Sequence, residues 1–461
     1  MFNLNSVLIG ENGHTRILKD VIKESDLFIN SFLDKRELII FLCDNTIDSI
    51  SLYVSFINKG VVPILINPDI EESLLNDIIE RYNPSYIFTP RASRDYGVKY
   101  SEFLEYNSFS ILKSVKIYET KLNMDLAILL SSSGSTGSPK LIRISYKNLL
   151  SNCISICRYL KLNKDDIAIT NLPMNYSYGL SVINSHLNVG AKIVVTEKSI
   201  IQRGFWELIN AYDVTSLAGV PYTYEILKKL RFFKMNLPSV KYMTQAGGKL
   251  SNSMIKEFAG HCENKKIKFF VMYGQTEGTA RLSYLSPNKI FEKIGSIGKA
   301  IPGGELRLVD SNNKTIKLTN VEGELVYVGE NVMMGYADDK SHLSKSSELS
   351  NTLYTGDLAY QDSDGYFFTK KKKKRFIKIF GNRFSLDEIE NLIKSHKIEC
   401  ACTGLDDQLK IFIIGRNHEQ KVENILRKLK IQKSAYKILI THTLPKNSSG
   451  KVLYSKLNSN E

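Results

Sequence analysis

Long hydrophobic runs are missing from this 461-residue sequence, since its longest apolar stretches, such as residues 60–66 and 126–130, have only the length of a strand. About 18 consecutive apolar residues are needed to cross a bilayer, so we expect no membrane insertion. A secretory signal is also missing, because no basic residue precedes the first apolar stretch and no small-residue cleavage pattern follows it. These absences predict a cytoplasmic protein.

Cysteine is scarce, with six residues, and their spacing predicts no metal site. Cys153 and Cys157 would share one face of a helix, and Cys400 and Cys402 would share one side of a strand. Neither pair has the second pair or the nearby histidines that a zinc tetrahedron needs. We therefore expect buried, reduced thiols.

Positive charge is abundant but unevenly placed. The composition, 43% hydrophobic and 24% charged, is that of a globular protein, and the net charge is +14. Residues 370–461 hold 21 Lys and Arg against nine Asp and Glu, so the last fifth of the chain carries nearly all the excess. Such a cluster is typical of binding to nucleic acid, to an acidic partner or to a phosphorylated substrate, and composition leaves all three open.

Strand-like apolar runs alternate with helical stretches over the first two thirds of the chain. Examples are residues 37–42, 61–66, 126–130 and 268–273. This alternation predicts an α/β fold in which doubly wound parallel sheets form a large N-terminal domain. Short strands without intervening helices at residues 303–328 predict a small antiparallel β unit within that domain.

A second domain is expected at the C-terminal end. The lysine run at residues 370–374 marks a boundary, and the segments after it are typical of helix, strand and helix. We therefore divide the chain into an N-terminal domain, residues 1–373, and a compact α+β C-terminal domain, residues 374–461.

The sharpest local feature is the segment SSSGSTGSPK, residues 131–140, which follows a predicted strand and precedes a helix-like segment. Small flexible residues between a strand and a helix let backbone N–H groups converge on an anion, and Ser and Thr hydroxyls add donors. The segment predicts a phosphate-binding loop, although no Gly-Lys-Ser/Thr ends it as in a Walker loop.

The segment MYGQTEGTAR, residues 272–281, follows another predicted strand. Tyr273 can stack on a flat ring, Thr276 can donate to a phosphate, and Glu277 is a hard oxygen ligand suited to Mg²⁺. Taken alone, a carboxylate at a strand end is more often simply solvated.

Two further segments carry charged groups next to glycine. YTGD, residues 354–357, places a carboxylate where it can accept hydrogen bonds from ribose hydroxyls, and LPKNSSGK, residues 444–451, presents a lysine on a loop. An Asx turn and a surface lysine are the ordinary structural interpretations of these two segments.

In this order and spacing, the segments resemble the motifs of the adenylate-forming superfamily, which includes acyl- and aryl-CoA synthetases, peptide-synthetase adenylation domains and firefly luciferase. The resemblance covers essentially the whole chain. Residues 246–250, AGGKL, resemble the adenine-side loop, residues 371–390 resemble the interdomain hinge segment, and SSGK resembles the catalytic lysine loop. Six matches in sequence are far more specific than any one of them.

The resemblance implies that the protein binds ATP and Mg²⁺ and assigns roles to individual residues. The implied catalytic residues are Lys451, Thr136, Glu277 and Lys378, with Glu277 as the Mg²⁺ ligand and Lys374 as the hinge of a mobile C-terminal lid. The implied nucleotide-binding residues are Ser132, Ser133, Gly134, Ser135, Thr136, Gly137, Lys140, Gly247, Gly248, Tyr273, Gly274, Gln275, Thr276, Asp357 and Lys372.

The chain departs from the superfamily pattern at two places. The hinge segment usually opens with Gly-Arg, where this chain has Lys371 and Lys372, and a glycine usually follows the lysine of the phosphate loop, where this chain has Leu141. Lys372 keeps the positive charge but lacks the planar fork of arginine. Neither change removes a group that the chemistry requires.

Residues 172–187 resemble the acyl-pocket motif, which implies that Tyr176, Ser177, Tyr178 and Gly179 line the pocket. Members that activate α-amino acids usually carry Asp at the position of Ser177, so an α-amino acid is disfavoured. The tyrosines and the glycine suggest a small aliphatic, hydroxylated or aryl acid. The alternative is that these residues only pack in the core.

We therefore predict an ATP-dependent acid–thiol ligase that forms an acyl adenylate, releases pyrophosphate and transfers the acyl group to coenzyme A. The phosphopantetheine arm of an acyl carrier protein is the alternative acceptor, because the basic end suits an acidic carrier as well as a phosphorylated cofactor. A nucleic-acid-binding protein that uses the basic C-terminal region is the alternative of another class. It is disfavoured because residues 370–375 lack interleaved aromatic residues and any base-reading motif.

Overall fold

The computed structural model describes residues 1–33, 35–90, 99–116, 119–131, 140–310, 312–372, 376–380, 382–405, 407–429, 431–446 and 452–457. The chain forms two compact units, a larger one that comprises most of residues 1–369 and a smaller one that is mainly residues 370–457. Within the described ranges, no helix is long and apolar enough to span a membrane.

Strands and helices alternate along the larger unit. Its helices are α1 (Leu18–Asn30), α2 (Ile47–Lys59), α3 (Glu72–Tyr82), α4 (Tyr146–Leu160), α5 (Ser177–Val189), α6 (Arg203–Ala211), α7 (Pro221–Lys229) and α8 (Asn252–Asn264). Its strands are β1 (Val7–Ile9), β2 (Thr15–Ile17), β3 (Leu38–Leu42), β4 (Val62–Ile66), β5 (Tyr86–Pro90), β6 (Tyr100–Tyr106), β7 (Phe109–Ser114), β8 (Leu126–Ser131), β9 (Leu141–Ser145), β10 (Ile167–Ile169), β11 (Lys192–Val194), β12 (Ser216–Gly219), β13 (Tyr242–Gln245), β14 (Lys268–Tyr273), β15 (Ser283–Leu285), β16 (Lys299–Ala300), β17 (Gly304–Val309), β18 (Gly323–Gly329), β19 (Gly335–Ala337), β20 (Thr352–Gln361) and β21 (Phe367–Lys372).

The largest sheet has the strand order β19-β9-β8-β4-β3-β5-β7-β6, and its central strands β8, β4, β3 and β5 are parallel. In β3, Ile39 and Phe41 pack with α1 and α2, whereas Leu38, Ile40 and Leu42 pack with α3. Because alternate residues of a strand point to opposite faces, helices cover both sides of this sheet. The predicted doubly wound α/β arrangement is confirmed.

A second sheet has the strand order β12-β13-β14-β15-β16, in which the first three strands are parallel and the last two are antiparallel additions. A third combines β10, β11, β1 and β2. A fourth, β17-β18-β20-β21, contains the antiparallel pair β17 and β18. That pair confirms the small antiparallel unit predicted at residues 303–328.

The smaller unit is a compact α+β structure. Its elements are β22 (Phe376–Ile379), β23 (Asn382–Ser385), α9 (Leu386–Ser395), β24 (Cys400–Leu405), β25 (Gln408–Ile414), α10 (Glu419–Lys428), β26 (Tyr436–Thr441) and α11 (Tyr454–Leu457). Strands β22 and β23 form a two-stranded antiparallel sheet, and β24, β25 and β26 form a mixed one. The predicted order of helix, strand and helix after the lysine run is confirmed.

The structure adds a strand, β9, between the predicted phosphate loop and the helix that was predicted after it. β8 and β9 pair antiparallel with Ser131 opposite Leu141, and α4 begins only after β9. The first turn of α4 is closed by its own cap, in which the Ser145 hydroxyl accepts from the Asn148 N–H. β9 therefore separates Lys140 from the N-terminus of α4. The sequence did not indicate β9, because the charge of Arg143 interrupts its apolar pattern although the side chain is buried.

All six cysteines lie in the described part of the chain and are free thiols; five of them are buried, as predicted, whereas Cys157 is partly exposed. Cys400 and Cys402 both contact the core formed with α9 and α10, whereas Ala401 between them packs in another cluster. The two cysteines therefore share one side of β24, as the strand period predicts.

Candidate functional site

The carboxyl ends of three parallel strands lie at one edge of the second sheet. β12 ends at Gly219, β13 at Gln245 and β14 at Tyr273, and β13 pairs with both of the others. Ligands of open α/β sheets bind outside this edge of the sheet. The residues that follow β13 and β14 there include Gly247, Gly248, Gly274, Gln275 and Thr276.

The turn after β14 is held in one shape by its neighbours. A Cβ on Gly274 would overlap the Ala280 carbonyl oxygen, so the chain can pass here only as glycine. Thr279 has a φ of +66°, which is uncommon for a β-branched residue, and its hydroxyl donates to the Asn331 carbonyl at 2.6 Å. These contacts give Thr276 a defined position at the sheet edge.

Ser177 and Thr276 meet at this edge, with 3.2 Å between their hydroxyl oxygens. Ser177 is the first residue of α5 and is buried. Next to it, the Tyr176 hydroxyl lies over Gly247, where it would be 2.5 Å from a Cβ. Gly247 has a φ of +81°, so both backbone and space favour glycine. The structure thus brings the predicted acyl-pocket segment together with both predicted nucleotide segments.

Glu277 is held by a tyrosine that the sequence analysis did not single out. The Tyr336 hydroxyl donates to Glu277 Oε1 at 2.9 Å, and the Met333 N–H donates to the Glu277 carbonyl at 2.8 Å. Burial and the Glu277 charge raise the pKa of Tyr336 above its usual range, so its hydroxyl remains a donor at neutral pH.

Lys140, at the end of the predicted phosphate loop, lies next to the same tyrosine. Its Nζ is 5.9 Å from the centre of the Tyr336 ring and 3.4 Å from an Asp338 carboxylate oxygen. Tyr336 therefore lies next to two residues from separate segments that were predicted independently, Lys140 and Glu277.

Arg143 positions the strand that carries Tyr336. Its guanidinium is buried and donates to the carbonyls of Tyr336 and Lys345 and to Glu348 Oε2, the last at 2.6 Å. Burial lowers the pKa of Arg143, and the Glu348 carboxylate opposes that shift. A lone arginine in an apolar strand was the only sequence signal for this role, whereas Tyr336 had none.

Tyr178 and Gly179 are enclosed rather than open to the edge. The Tyr178 hydroxyl contacts the Thr244 carbonyl at 2.9 Å and its Oγ1 at 2.7 Å, and the Arg281 guanidinium lies 3.8 Å from the ring centre. Burial raises the pKa of Tyr178 to about 12. A Cβ on Gly179 would overlap the Pro173 carbonyl oxygen, so this glycine allows α5 to approach the preceding turn.

The carboxylate of Glu277 fits the way proteins hold Mg²⁺. In the described ranges, no three Asp, Glu, His or Cys residues come together as a metal cage. Mg²⁺ is usually bound by one or two carboxylates together with substrate phosphates and water. A single carboxylate beside Thr276 suits a cation that arrives with a nucleotide.

The remaining predicted site residues are not among those brought together at the sheet edge. Asp357 lies buried in β20. Lys372 lies at the end of β21 and Lys378 lies in β22, but the structure describes only their backbone. The predicted residues that fall outside the described part of the chain are Ser132, Ser133, Gly134, Ser135, Thr136, Gly137, Lys374 and Lys451.

Comparison with known proteins identifies a matching family and related ligases. A family model described as AMP-binding enzyme matches residues 32–337. The chain is 26% identical over 364 residues to the 2-succinylbenzoate–CoA ligase of Bacillus cytotoxicus, a match that covers 75% of this chain and 72% of the relative. It is 26% identical over 356 residues to 4-coumarate–CoA ligase 3 of Oryza sativa subsp. japonica, which covers 72% of this chain and 63%, less than two thirds, of that relative.

Solved structures share the fold of the whole chain. The o-succinylbenzoate CoA synthetase of Bacillus subtilis in complex with its acyl-adenylate intermediate superimposes with a TM-score of 0.79 at 21% identity, covering 99% of this chain and 96% of that one. The same enzyme in complex with ATP and a magnesium ion gives a TM-score of 0.76 at 20% identity, covering 98% and 97%.

Proposed function

The chain belongs to the AMP-binding enzyme family of the adenylate-forming superfamily, and on that basis we propose that it is an ATP-dependent acid–thiol ligase. The observation that carries the proposal is the 3.2 Å approach of Ser177 to Thr276. It joins the segment proposed to face the acid to the segment proposed to face the α-phosphate. An enzyme that condenses the two substrates needs both contacts at one point.

In the first half-reaction, an oxygen of the substrate carboxylate forms a bond to the α-phosphorus of ATP. The bond from that phosphorus to the bridging oxygen breaks, and pyrophosphate leaves. Both reactants are anions, so the site must offset charge and hold them in line. In our proposal, Thr276 donates to the α-phosphate, and Lys451 bridges the carboxylate and the nucleotide.

Further groups complete the proposed nucleotide site. Thr136 and its loop bind the β- and γ-phosphates, Tyr273 stacks on the adenine, and Asp357 accepts from the ribose hydroxyls. Glu277 binds Mg²⁺, which offsets phosphate charge when it is bound. Tyr336 donates to Glu277 and so directs the carboxylate that would hold the cation.

In the second half-reaction, a thiol sulfur attacks the acyl carbon of the adenylate. The new carbon–sulfur bond forms as the bond to the phosphate oxygen breaks, and AMP leaves. We propose that residues 374–461 act as a lid that turns about Lys374 and brings Lys378 to the site for this step. The resemblance of residues 371–390 to the hinge segment of the superfamily supports this role.

Coenzyme A is the thiol that we propose, because the relatives reported above are CoA ligases. We place the reaction in the cytoplasm, where ATP and coenzyme A are available. The pantetheine arm of an acyl carrier protein is the alternative acceptor to be tested against coenzyme A.

A panel of carboxylic acids tests the proposal. Each acid is incubated with ATP and Mg²⁺ and pyrophosphate is measured, first without a thiol, then with coenzyme A and then with a carrier protein bearing pantetheine. We expect acid-dependent release of pyrophosphate that coenzyme A accelerates. If only the carrier protein accelerates the release, the carrier protein and not coenzyme A is the acceptor. If none of the acids in the panel gives pyrophosphate release, the proposal is contradicted.

A further inference from the structure

The residues on either side of the segment that contains Lys451 are paired with each other. Lys446 and Val452 form an antiparallel bridge, and the Leu453 N–H donates to the Pro445 carbonyl at 2.8 Å. Lys451 directly precedes Val452, and consecutive Cα atoms lie about 3.8 Å apart. Whatever holds Val452 in place therefore also limits the position of Lys451.

Apolar contacts attach this pair of chain ends to the three-stranded sheet of the smaller unit. Leu444 and Leu457 are buried in one cluster with Ala401 of β24 and Phe412 of β25, and Val452 packs against the same cluster. Both ends are therefore attached to one sheet. Apolar burial is non-directional, so it does not by itself fix the orientation of the chain after Val452.

Tyr454, three residues after Lys451, adds a directed contact to a buried carboxylate. Its hydroxyl donates to Glu390 Oε2 at 3.1 Å. Glu390 lies in α9 and is 4% exposed, and its Oε1 accepts from the Cys402 N–H of β24 at 2.8 Å. The Lys394 ammonium also donates to Oε2, at 3.0 Å. One carboxylate therefore joins α9, β24 and the first residue of α11.

A carboxylate is a costly group at this place in the core. Ile389 and Ile393 of α9 and Cys400 and Cys402 of β24 belong to the surrounding apolar cluster. An apolar side chain in place of a buried charge is often neutral or stabilising, so stability alone does not account for Glu390. The glutamate adds a defined bond to Tyr454, next to the segment that contains Lys451.

We infer that Glu390 and Tyr454 are positioning residues for Lys451 in adenylation. The inference rests on the proposed function, since it concerns the lysine proposed to bridge the carboxylate and the nucleotide. A charged group that acts in the transition state must be held closely in place, and small displacements of such groups lower rates strongly. Lys378, which belongs to the same unit but is proposed to act in the other half-reaction, does not depend on this bond.

The two half-reactions, measured separately, test the inference. Adenylation is followed as pyrophosphate release in single turnovers without thiol, using an acid accepted by the wild type. Thioester formation is started from the purified adenylate of that acid and coenzyme A. Tyr454→Phe should slow adenylation about tenfold, because a hydrogen bond to a charged group is lost. The KM for ATP and the rate of thioester formation should stay at their wild-type values.

A second variant tests whether the two residues act through one bond. Glu390→Gln should slow adenylation about threefold or more, because a single amide oxygen cannot accept from both Tyr454 and the Cys402 N–H. In the double variant the two effects should not add, since the shared bond is already lost. Tyr436→Phe is the matched control, because Tyr436 lies in β26 of the same unit and packs against the other apolar cluster. It should leave both half-reactions unchanged.

Two results would overturn the inference. Equal slowing of both half-reactions in Tyr454→Phe would mean that the bond only stabilises the smaller unit. Adenylation at the wild-type rate in Tyr454→Phe would mean that the bond does not position Lys451. Both results differ from failure of the proposed function, in which the wild type releases no pyrophosphate with any acid and the ligase is refuted together with the inference.

Discussion

The larger and the smaller unit hold their proposed site residues in different ways. In the larger unit, Thr276, Glu277 and Ser177 are fixed by contacts between separate elements, through Ser177 itself and through Tyr336. In the smaller unit, Lys378 lies in β22, which pairs with β23 in a sheet of two strands within the described residues. We therefore propose that the larger unit binds both substrates at a fixed sheet edge and that the smaller unit supplies positive charge.

This difference separates the expected effects of substitutions. Changes in the larger unit should alter the binding of acid, nucleotide or cation at a fixed edge. Changes in the smaller unit should alter which half-reaction proceeds, since its lysines are proposed to act in different steps.

Lys451→Ala should have the largest effect. We expect pyrophosphate release to fall by about 10²- to 10³-fold while ATP binding is retained, because the lysine is proposed to stabilise charge in the transition state. Steady-state kinetics and nucleotide titration measure the two quantities. Lys433→Ala is the control, because Lys433 is an exposed lysine of the same unit that pairs with Glu423. Unchanged turnover in Lys451→Ala would refute its role.

Glu277→Gln should come next. We expect kcat/KM for adenylation to fall by about 10²-fold and the Mg²⁺ concentration at half-maximal rate to rise, because the cation loses its carboxylate ligand. Glu330→Gln, which removes the charge of a surface ion pair with Lys147, should leave both quantities unchanged. An unaltered Mg²⁺ dependence in Glu277→Gln would show that the cation binds elsewhere.

Lys374→Pro should affect one half-reaction. We expect thioester formation to slow by about tenfold or more relative to adenylation, because a proline restricts the backbone rotation proposed for the hinge. Single-turnover assays of each half-reaction measure this ratio, and Lys374→Ala controls for loss of the side chain. Equal slowing of both half-reactions would count against the hinge.

Tyr336→Phe should have the smallest effect. Removing the hydroxyl costs the hydrogen bond to Glu277, worth about 1 kcal/mol, so we expect a loss of about fivefold. The loss should appear as a higher Mg²⁺ concentration at half-maximal rate rather than as a change in the KM for the acid. Tyr212→Phe removes a hydroxyl after α6 and should have no effect. If Tyr336→Phe changes only the KM for the acid, the role of Tyr336 in positioning Glu277 is contradicted.

The sequence predicted the central strands well because their signal is local. β3 and β4 are continuous apolar runs, buried on both faces, and such runs have few other interpretations. β9 was missed because the charge of Arg143 breaks its run, and the partners of its guanidinium, which include Tyr336, Lys345 and Glu348, lie about 200 residues away.

The site shows the same division. The segments that contain Thr276 and Ser177 could be found from their motifs, but their 3.2 Å contact depends on the packing of α5 against the second sheet. For Tyr178, the motif suggested a residue that lines the acyl pocket, but in the structure its hydroxyl is hydrogen-bonded to Thr244.

The path of oxygen tests the central claim that the acid is activated as an adenylate. An accepted acid labelled with ¹⁸O in its carboxylate is converted with ATP, Mg²⁺ and coenzyme A, and the phosphorus products are analysed by mass spectrometry. Attack on the α-phosphorus predicts one ¹⁸O in AMP and none in pyrophosphate. Appearance of ADP with ¹⁸O in inorganic phosphate would mean an acyl phosphate and would contradict the account.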